Sequence, residues 1–326
     1  MTRPMITWVA GALFCAHASL QAHAADFKDF PAGTQWVLNL DLKSAQASPM
    51  LREVFGQIAP EKRQEAQNKL AAIKAMFGID LLKDIEQLVI AGNGTAEKGG
   101  VAYVYGTFDV QRLSTILAGS KNFSSSQHGS HTVLGWNDDK QKYLSFATPR
   151  LALLSNSQTA LTDALDVLAG TRAGLTPGSA LASALERSGQ ELLTVHAIDV
   201  SSIVGIQPRA QALKQAQSLD LRVRSTGTDS LNAALSVTAA SDETAQQIQQ
   251  ALLGIQAITL LRSAEAPESA TLASLVRVIC QGKTVDVTMS LPKTVLETAI
   301  RQREARKAAK EAAATNTPAP AETTTN

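Results

Sequence analysis

The hydrophobic pattern between Leu219 and Leu291 changes period twice, and no other feature constrains the fold of this chain as tightly. Leu219, Leu221 and Val223 alternate with Asp220, Arg222 and Arg224. Thr226-Gly227-Thr228-Asp229 turns the chain, and Leu231, Ala233, Leu235, Val237 and Ala239 follow with the same alternation. Period two on both sides of a turn predicts an antiparallel pair buried on one face. From Ser241 the spacing becomes helical through Ala245, Ile248, Leu252, Ile255 and Ile258, behind a serine able to cap the first free amides. Strand alternation returns at Val276, Val278 and Cys280 and, across Gln281-Gly282-Lys283, at Val285, Val287, Met289 and Leu291. The order ββαββ predicts an α+β fold, an antiparallel sheet with its helix on the buried face.

At the other end, Met1-Thr-Arg-Pro precedes an apolar stretch from about Met5 to Leu20, and Ala22-His23-Ala24 has the small-x-small form of a signal-peptidase site. The expectation is a signal peptide, residues 1–24, cleaved after Ala24, and a periplasmic or secreted protein. A retained anchor is the alternative, disfavoured by the shortness of the apolar stretch. No later apolar run reaches the roughly 20 residues a transmembrane helix needs. The leader holds Arg3 and no acid, so the 30 basic and 29 acidic residues of the whole chain become a formally neutral mature protein. That balance excludes the basic footprint of a nucleic-acid binder. Loss of Cys15 leaves Cys280 alone, so no intramolecular disulfide supports an exported chain. Stability must come from a core that, at 44% hydrophobic but 4% aromatic residues, is aliphatic.

Between these ends the spacing predicts a strand from Trp36 to Leu40 and a helix begun by Ser48-Pro49 that turns Met50, Leu51, Val54, Phe55 and Ile58 inward. A second helix restarts at Pro60, with Leu70, Ile73, Met76, Phe77 and Leu81 at helical spacing, and is stopped or kinked at Gly78. A hairpin follows over Ile85–Ala91 and Val101–Tyr105, then a short helix capped by Asp109. Strands are expected at His131–Trp136, Tyr143–Ala147 and Leu151–Leu154, with a helix from about Ser157 to Leu168. Beyond the Gly/Thr/Pro cluster near 170–178 come a helix around Ala180–Glu186, a strand Leu192–Ile198 and a helical stretch after Pro208.

The order β-α-β-β-α-β-β-α therefore occurs twice. Leu40-Asp41-Leu42-Lys43-Ser44 is echoed by Ile198-Asp199-Val200-Ser201-Ser202. The reading is two related halves, 25–174 and 175–311, each an antiparallel sheet with helices mainly on one face. The second ends in a helix carrying Arg301, Arg303, Arg306, Lys307 and Lys310. Residues 312–326, without a large apolar side chain, are expected to be a disordered tail.

Signals of chemistry are sparse. His128, His131 and His196 are the histidines left after cleavage. His128 and His131, with Asp138 and Asp139 nearby, lack the helical spacing that brings two imidazoles to one side, and on one strand residues three apart face opposite ways. No metal site is assigned. His196 shares a strand face with Thr194 and Ile198, and its counterpart in the first half is Leu38, which favours packing. Ser124-Ser125-Ser126 reads as a polar loop without a nucleophile elbow. Gly92-x-Gly94 and Gly99-Gly100 join strands and open no phosphate-binding helix, and Cys280 is expected inward and inert. Asp41 and Asp199 are either caps or a carboxylate pair between the halves, capping being favoured. No catalytic residue and no cofactor is assigned. The outward strand face of the second half carries Asp220, Arg222, Arg224, Asn232, Ser236, Thr238, Arg277, Asp286 and Thr288, either a wetted surface or one wall of a groove. Arg222, Arg224 and Arg277 are the candidate ligand-binding residues, and a crevice between the halves is the expected place for a ligand.

Phe77-Gly78-Ile79-Asp80, running to Asp84 before a strand, and Gly106-Thr107-Phe108-Asp109 after one are the motifs by which the chain resembles a large, uncharacterised group of exported bacterial proteins built from paired α+β units. The resemblance implies a fold and an envelope location and brings no activity or functional residue. The expected function is a non-catalytic envelope protein binding a protein partner or an apolar ligand. The alternatives are a periplasmic hydrolase using a His/carboxylate pair, and a membrane-surface scaffold using the basic terminal helix.

Overall fold

A computed structural model describes residues 26–57, 60–94, 99–137, 139–186, 191–200, 213, 215–264 and 267–315, with side chains to residue 306. The expected signal peptide, Asp138, the helical stretch after Pro208 and residues 316–326 of the expected tail lie outside the described residues.

Twelve strands form one antiparallel sheet. In chain order they are β1 Trp36–Asp41, β2 Ile85–Gly92, β3 Gly100–Gly106, β4 Ser124–His128, β5 His131–Asn137, β6 Gln141–Thr148, β7 Leu151–Ser155, β8 Leu193–Ile198, β9 Ala216–Thr226, β10 Ser230–Ala239, β11 Val276–Gln281 and β12 Thr284–Pro292. The described helices are α1 Leu42–Ala47, α2 Pro49–Gly56, α3 Pro60–Phe77, α4 Val110–Ala118, α5 Gln158–Leu168, α6 Ala180–Glu186, α7 Asp242–Leu261, α8 Pro267–Ser274 and α9 Lys293–Thr315, with a 3-10 turn, η1, at Phe27–Asp29. Across the sheet the strands run β11-β12-β10-β9-β8-β1-β2-β3-β7-β6-β5-β4. The two halves thus meet edge to edge at β1 and β8, with Trp36 opposite Ala197 and Leu40 opposite Leu193. Backbone hydrogen bonds fill the junction where an inter-half crevice was expected.

Local chemistry explains the element boundaries. Asp41, Ser48, Asp109, Ser157 and Ser241 each accept an amide from the first turn of the helix that follows, satisfying a donor the helix cannot. Gly78, Gly227 and Gly282 take positive φ where α3 ends and where the β9–β10 and β11–β12 hairpins turn. Ala312, Ala313 and Ala314, the best helix formers, carry α9 to Thr315, past its expected end at Glu311.

Helices flank both faces of the first half. Tyr103, Leu153 and Val37 pack with Leu161, Ala164 and Leu165 of α5 and Leu181 of α6 on one face. Ile85, Leu144 and Ala152 pack with Leu113 of α4 and Phe77 of α3 on the other. In the second half, α7 presses Ala245 and Ile248 against Val237, Val285 and Ala197.

Four expected details differ. Phe55 and Met76 are 59% and 61% exposed, because α2 and α3 each meet the body along a narrower stripe than their apolar residues span. On α7, Ile255 and Ile258 are 39% and 54% exposed, so only its first half is a core helix. Ser124–Ser126 belong to an edge strand, β4, paired to β5; an all-polar sequence gives no period-two signal. Cys280 faces inward against the core of the second half as expected but is only partly buried, next to the outermost hairpin turn.

Candidate functional site

The register of the sheet decides which face is open. One cross-strand row runs Val101, Ala91, Val37, His196, Asp220, Ser236, Asp286, Ile279 from β3 to β11. Its first members are core. His196 is 1% exposed at the junction, and beyond it the same face carries partly buried charged and hydroxyl groups and finally Ile279, 50% exposed. One pleated surface thus passes from dry core to open polar floor in the width of a few strands.

Three of these groups form a buried-to-exposed chain. His196 Nδ1 lies 3.1 Å from Asp220 Oδ2. Arg222, two residues along β9 and therefore on the same face, donates Nε to Asp220 Oδ1 at 2.8 Å and Nη2 to Oδ2 at 2.9 Å. Burial acts to raise the pKa of Asp220, but the hydrogen bonds and charges of His196 and Arg222 outweigh it and hold the carboxyl well below its ordinary range. The same carboxylate pushes the Arg222 guanidinium up against a smaller opposing effect of burial. Thr194, fully buried beside this chain, has a hydroxyl with no hydrogen-bond partner among the described residues.

Two depressions open over this floor. One, about 610 Å³, lies between α6 and strands β8–β10 and is lined by His196, Asp220 and Arg222. The other, about 690 Å³, is lined by Arg222, Arg224, Arg277 and Glu191. They share Arg222, Ala234 and Thr288 and so form one groove. The three arginines singled out in the sequence come together there from β9 and β11, because Arg222 faces Ala234, Ala234 faces Thr288 and Thr288 faces Arg277 across successive ladders.

The remaining sequence candidates separate. His128 and His131 are directly opposite each other across the β4–β5 turn and so share a face, correcting the opposite-face reading, which treated them as one strand. His128 Nε2 is 2.7 Å from Asp166 Oδ1 of α5. No cluster of three metal-ligating side chains occurs among the described residues. Asp41 caps α1 through Ser44. Asp199, at positive φ, receives Gln35 Nε2. The two aspartates stand at opposite ends of the β1–β8 pair, roughly 20 Å apart at strand rise, so they are not a carboxylate pair.

No family model matches the chain. No curated protein matches it either. Among solved structures it is similar to TP0453: in crystal form III with 10% identity over 86% of this chain and 99% of that one, at a TM-score of 0.47. In crystal form I the identity is 9%, the coverage 86% and 97%, and the TM-score 0.45. Among the described residues no helix is long and apolar enough to cross a membrane.

Proposed function

We propose that this is an exported, non-catalytic binding protein of the bacterial cell envelope, periplasmic or secreted after cleavage behind Ala24, that holds a polypeptide partner on the open sheet face of its second half. The observation carrying this reading is the convergence of Arg222, Arg224 and Arg277 on one recess of about 690 Å³ whose floor is polar strand. Of the two ligand classes the sequence suggested, that lining suits a polar partner with acidic side chains better than an apolar molecule. Guanidinium forks favour carboxylates, and partner carboxylates are what exposed Arg224 and Arg277 would meet. Outward from the junction, β1-β2-β3-β7-β6 is matched by β8-β9-β10-β12-β11, with β5 and β4 additional in the first half, which supports descent of the two halves from one ancestral unit.

A photo-crosslinking residue at Thr288, exposed in the middle of the groove, tests the binding reading in intact cells. A discrete adduct that disappears in the R224E/R277E variant is the expected result. An adduct indifferent to that variant, or none, overturns it. Native mass spectrometry showing a retained small molecule would instead favour the apolar ligand, and turnover lost on H196A would favour the hydrolase.

A membrane-surface reading has its own observation: Leu253, Ile258 and Leu261 stand 42%, 54% and 83% exposed on the second half of α7. Vesicle sedimentation of the chain with and without Leu261→Asp and Ile258→Asp tests it, and unchanged sedimentation removes it.

A further inference from the structure

The two end strands of the sheet, β4 and β11, are built differently. β4 reads Ser-Ser-Ser-Gln-His, a polar strand without an aliphatic residue. β11 reads Val-Arg-Val-Ile-Cys-Gln, largely β-branched, and pairs with β12 in unbroken register. An open row of backbone donors and acceptors is a template for another strand, and sheets blunt such edges with proline, lysine, bulges or a covering element. β11 has no proline, no lysine and no bulge.

Turn geometry fixes which groups of β11 are open. Gln281 and Thr284 flank the two-residue turn Gly282-Lys283, so they exchange both ladder bonds, and the exchange recurs at Ile279/Asp286 and Arg277/Thr288. The amides and carbonyls of Val276, Val278 and Cys280 therefore point away from β12, off the end of the sheet. Gln256 Nε2 of α7 donates to the Val276 carbonyl at 3.0 Å. Among the described residues no backbone group outside the β11–β12 ladder bonds to this row.

The same hydrogen bond locates α7. Gln256 reaches the start of β11, while Asp242 Oδ1 lies 4.0 Å from where a Cβ on Gly282 would stand. The helix thus runs the length of the strand, on the face that carries Val278 and Cys280. Leu253 and Leu260, three residues before Gln256 and four after it, share its flank and are 42% and 39% exposed. On the other face β11 shows Arg277, Ile279 and Gln281, all exposed. Arg277 is the only charge on the strand, and no ion pair engages it among the described residues. Asp286, diagonal to it, lies one strand further in.

We propose that the partner adds to the outer edge of β11 as an antiparallel thirteenth strand in which acidic and apolar side chains alternate. This deepens the preceding reading and rests on the partner being a polypeptide. The pairings of the second half are all antiparallel, and a joining strand continues that ladder. A residue directly across from Val278 or Cys280 exchanges backbone bonds with it and turns its side chain to the α7 side, toward Leu253 and Leu260. The alternate residues face the groove side. One of them opposite Arg277 stands about 5 Å from it between Cβ atoms, and two strand spacings, about 10 Å, from the row of Asp286. Arg277 therefore selects a carboxylate there.

Isothermal titration of the purified protein with acetyl-Glu-Val-Glu-Val-Glu-Val-Glu-amide tests this. Saturable binding is expected, about tenfold weaker when lysine replaces glutamate. N-methylation of the valines, whose amides face β11, is expected to weaken binding about tenfold or more. N-methylation of the glutamates, whose amides face away, leaves it within about twofold. Cys280→Pro removes one outward amide and keeps every bond to β12, so it weakens the peptide about tenfold with the far-ultraviolet spectrum unchanged. No saturable binding at millimolar peptide, equal effects of the two methylations, or full affinity in folded C280P protein would overturn the proposal. A dimer that C280P dissolves would put a second copy on the edge and overturn it too. The groove reading fails separately: a Thr288 adduct lost in R224E/R277E, without peptide binding, keeps the groove and removes the edge, and peptide binding without that adduct does the reverse.

Discussion

His196 Nδ1 stands 3.1 Å from Asp220 Oδ2, directly across the β8–β9 ladder, where the covered face of the sheet becomes the open one. The carboxylate is shared with Arg222, so one anion satisfies a nearly inaccessible imidazole and a surface guanidinium together. Replacing Asp220 by Asn keeps the shape but removes the charge from both contacts. The expected cost is about 1–3 kcal/mol near neutral pH.

The pH dependence of that cost has a defined sign. Asp220 is held below its unfolded value, so its contribution is fully present above about pH 5 and fades as pH falls from near 3.9 toward the folded value. Urea unfolding of wild type and D220N should therefore differ most at pH 7 and converge progressively below about pH 4. A difference as large at pH 3 as at pH 7 would mean that the variant acts through packing alone.

Helix α7 supports a comparison within one element. Ile248 is fully buried against Val237 and Val285, whereas Ile258, ten residues on and about 80° round the helix axis, is 54% exposed. Ile248→Ala is expected to cost about 2–5 kcal/mol and Ile258→Ala less than about 0.5 kcal/mol. Chemical denaturation of the two variants measures both. Similar losses would mean that the far half of the helix is packed after all.

The same helix marks where sequence reasoning ends. Period identified nearly every strand and helix, because alternation and 3.6-residue spacing follow from where backbone geometry sends side chains. It did not reveal how far each neighbour extends, and so placed Phe55, Met76 and Ile258 inward. The polar strand β4 was invisible for a related reason: Ser124–Ser126 are held by ladder hydrogen bonds, which leave no hydrophobic trace. Arg222, Arg224 and Arg277 were legible as neighbours because strand parity assigned all three to one face. The cavity of about 360 Å³ lined by Asp29 and Tyr105 was not, since its walls come from η1, five strands and a helix end far apart in the chain.

Gly106 ends β3 inside one of the motifs that carried the family resemblance. A Cβ there would lie 2.2 Å from the carbonyl oxygen of Asp84, which already receives the Thr107 amide at 2.8 Å. Backbone cannot give way as a flexible side chain can, so Gly106→Ala is expected to lower stability by about 1–3 kcal/mol. Gly33→Ala, where the added methyl meets nothing within 4 Å, should stay within about 0.5 kcal/mol. Thermal melts of the pair decide whether close approach or loss of glycine as such is responsible.

Ser48 links the halves through a single hydroxyl. Its Oγ accepts the Leu51 amide at 3.3 Å as the cap of α2 and donates to Ser225 Oγ of β9 at 3.0 Å, 177 residues away in sequence. The residue is 5% exposed, so neither bond is readily replaced by water. Ser48→Ala removes both and is expected to cost about 1–2 kcal/mol, the greater part from the cap. Ser225→Ala removes only the second bond. A double-mutant cycle isolates the contact: a coupling of about 0.5–1 kcal/mol is expected if the hydroxyls stabilise each other. A coupling indistinguishable from zero would assign the whole effect to helix capping.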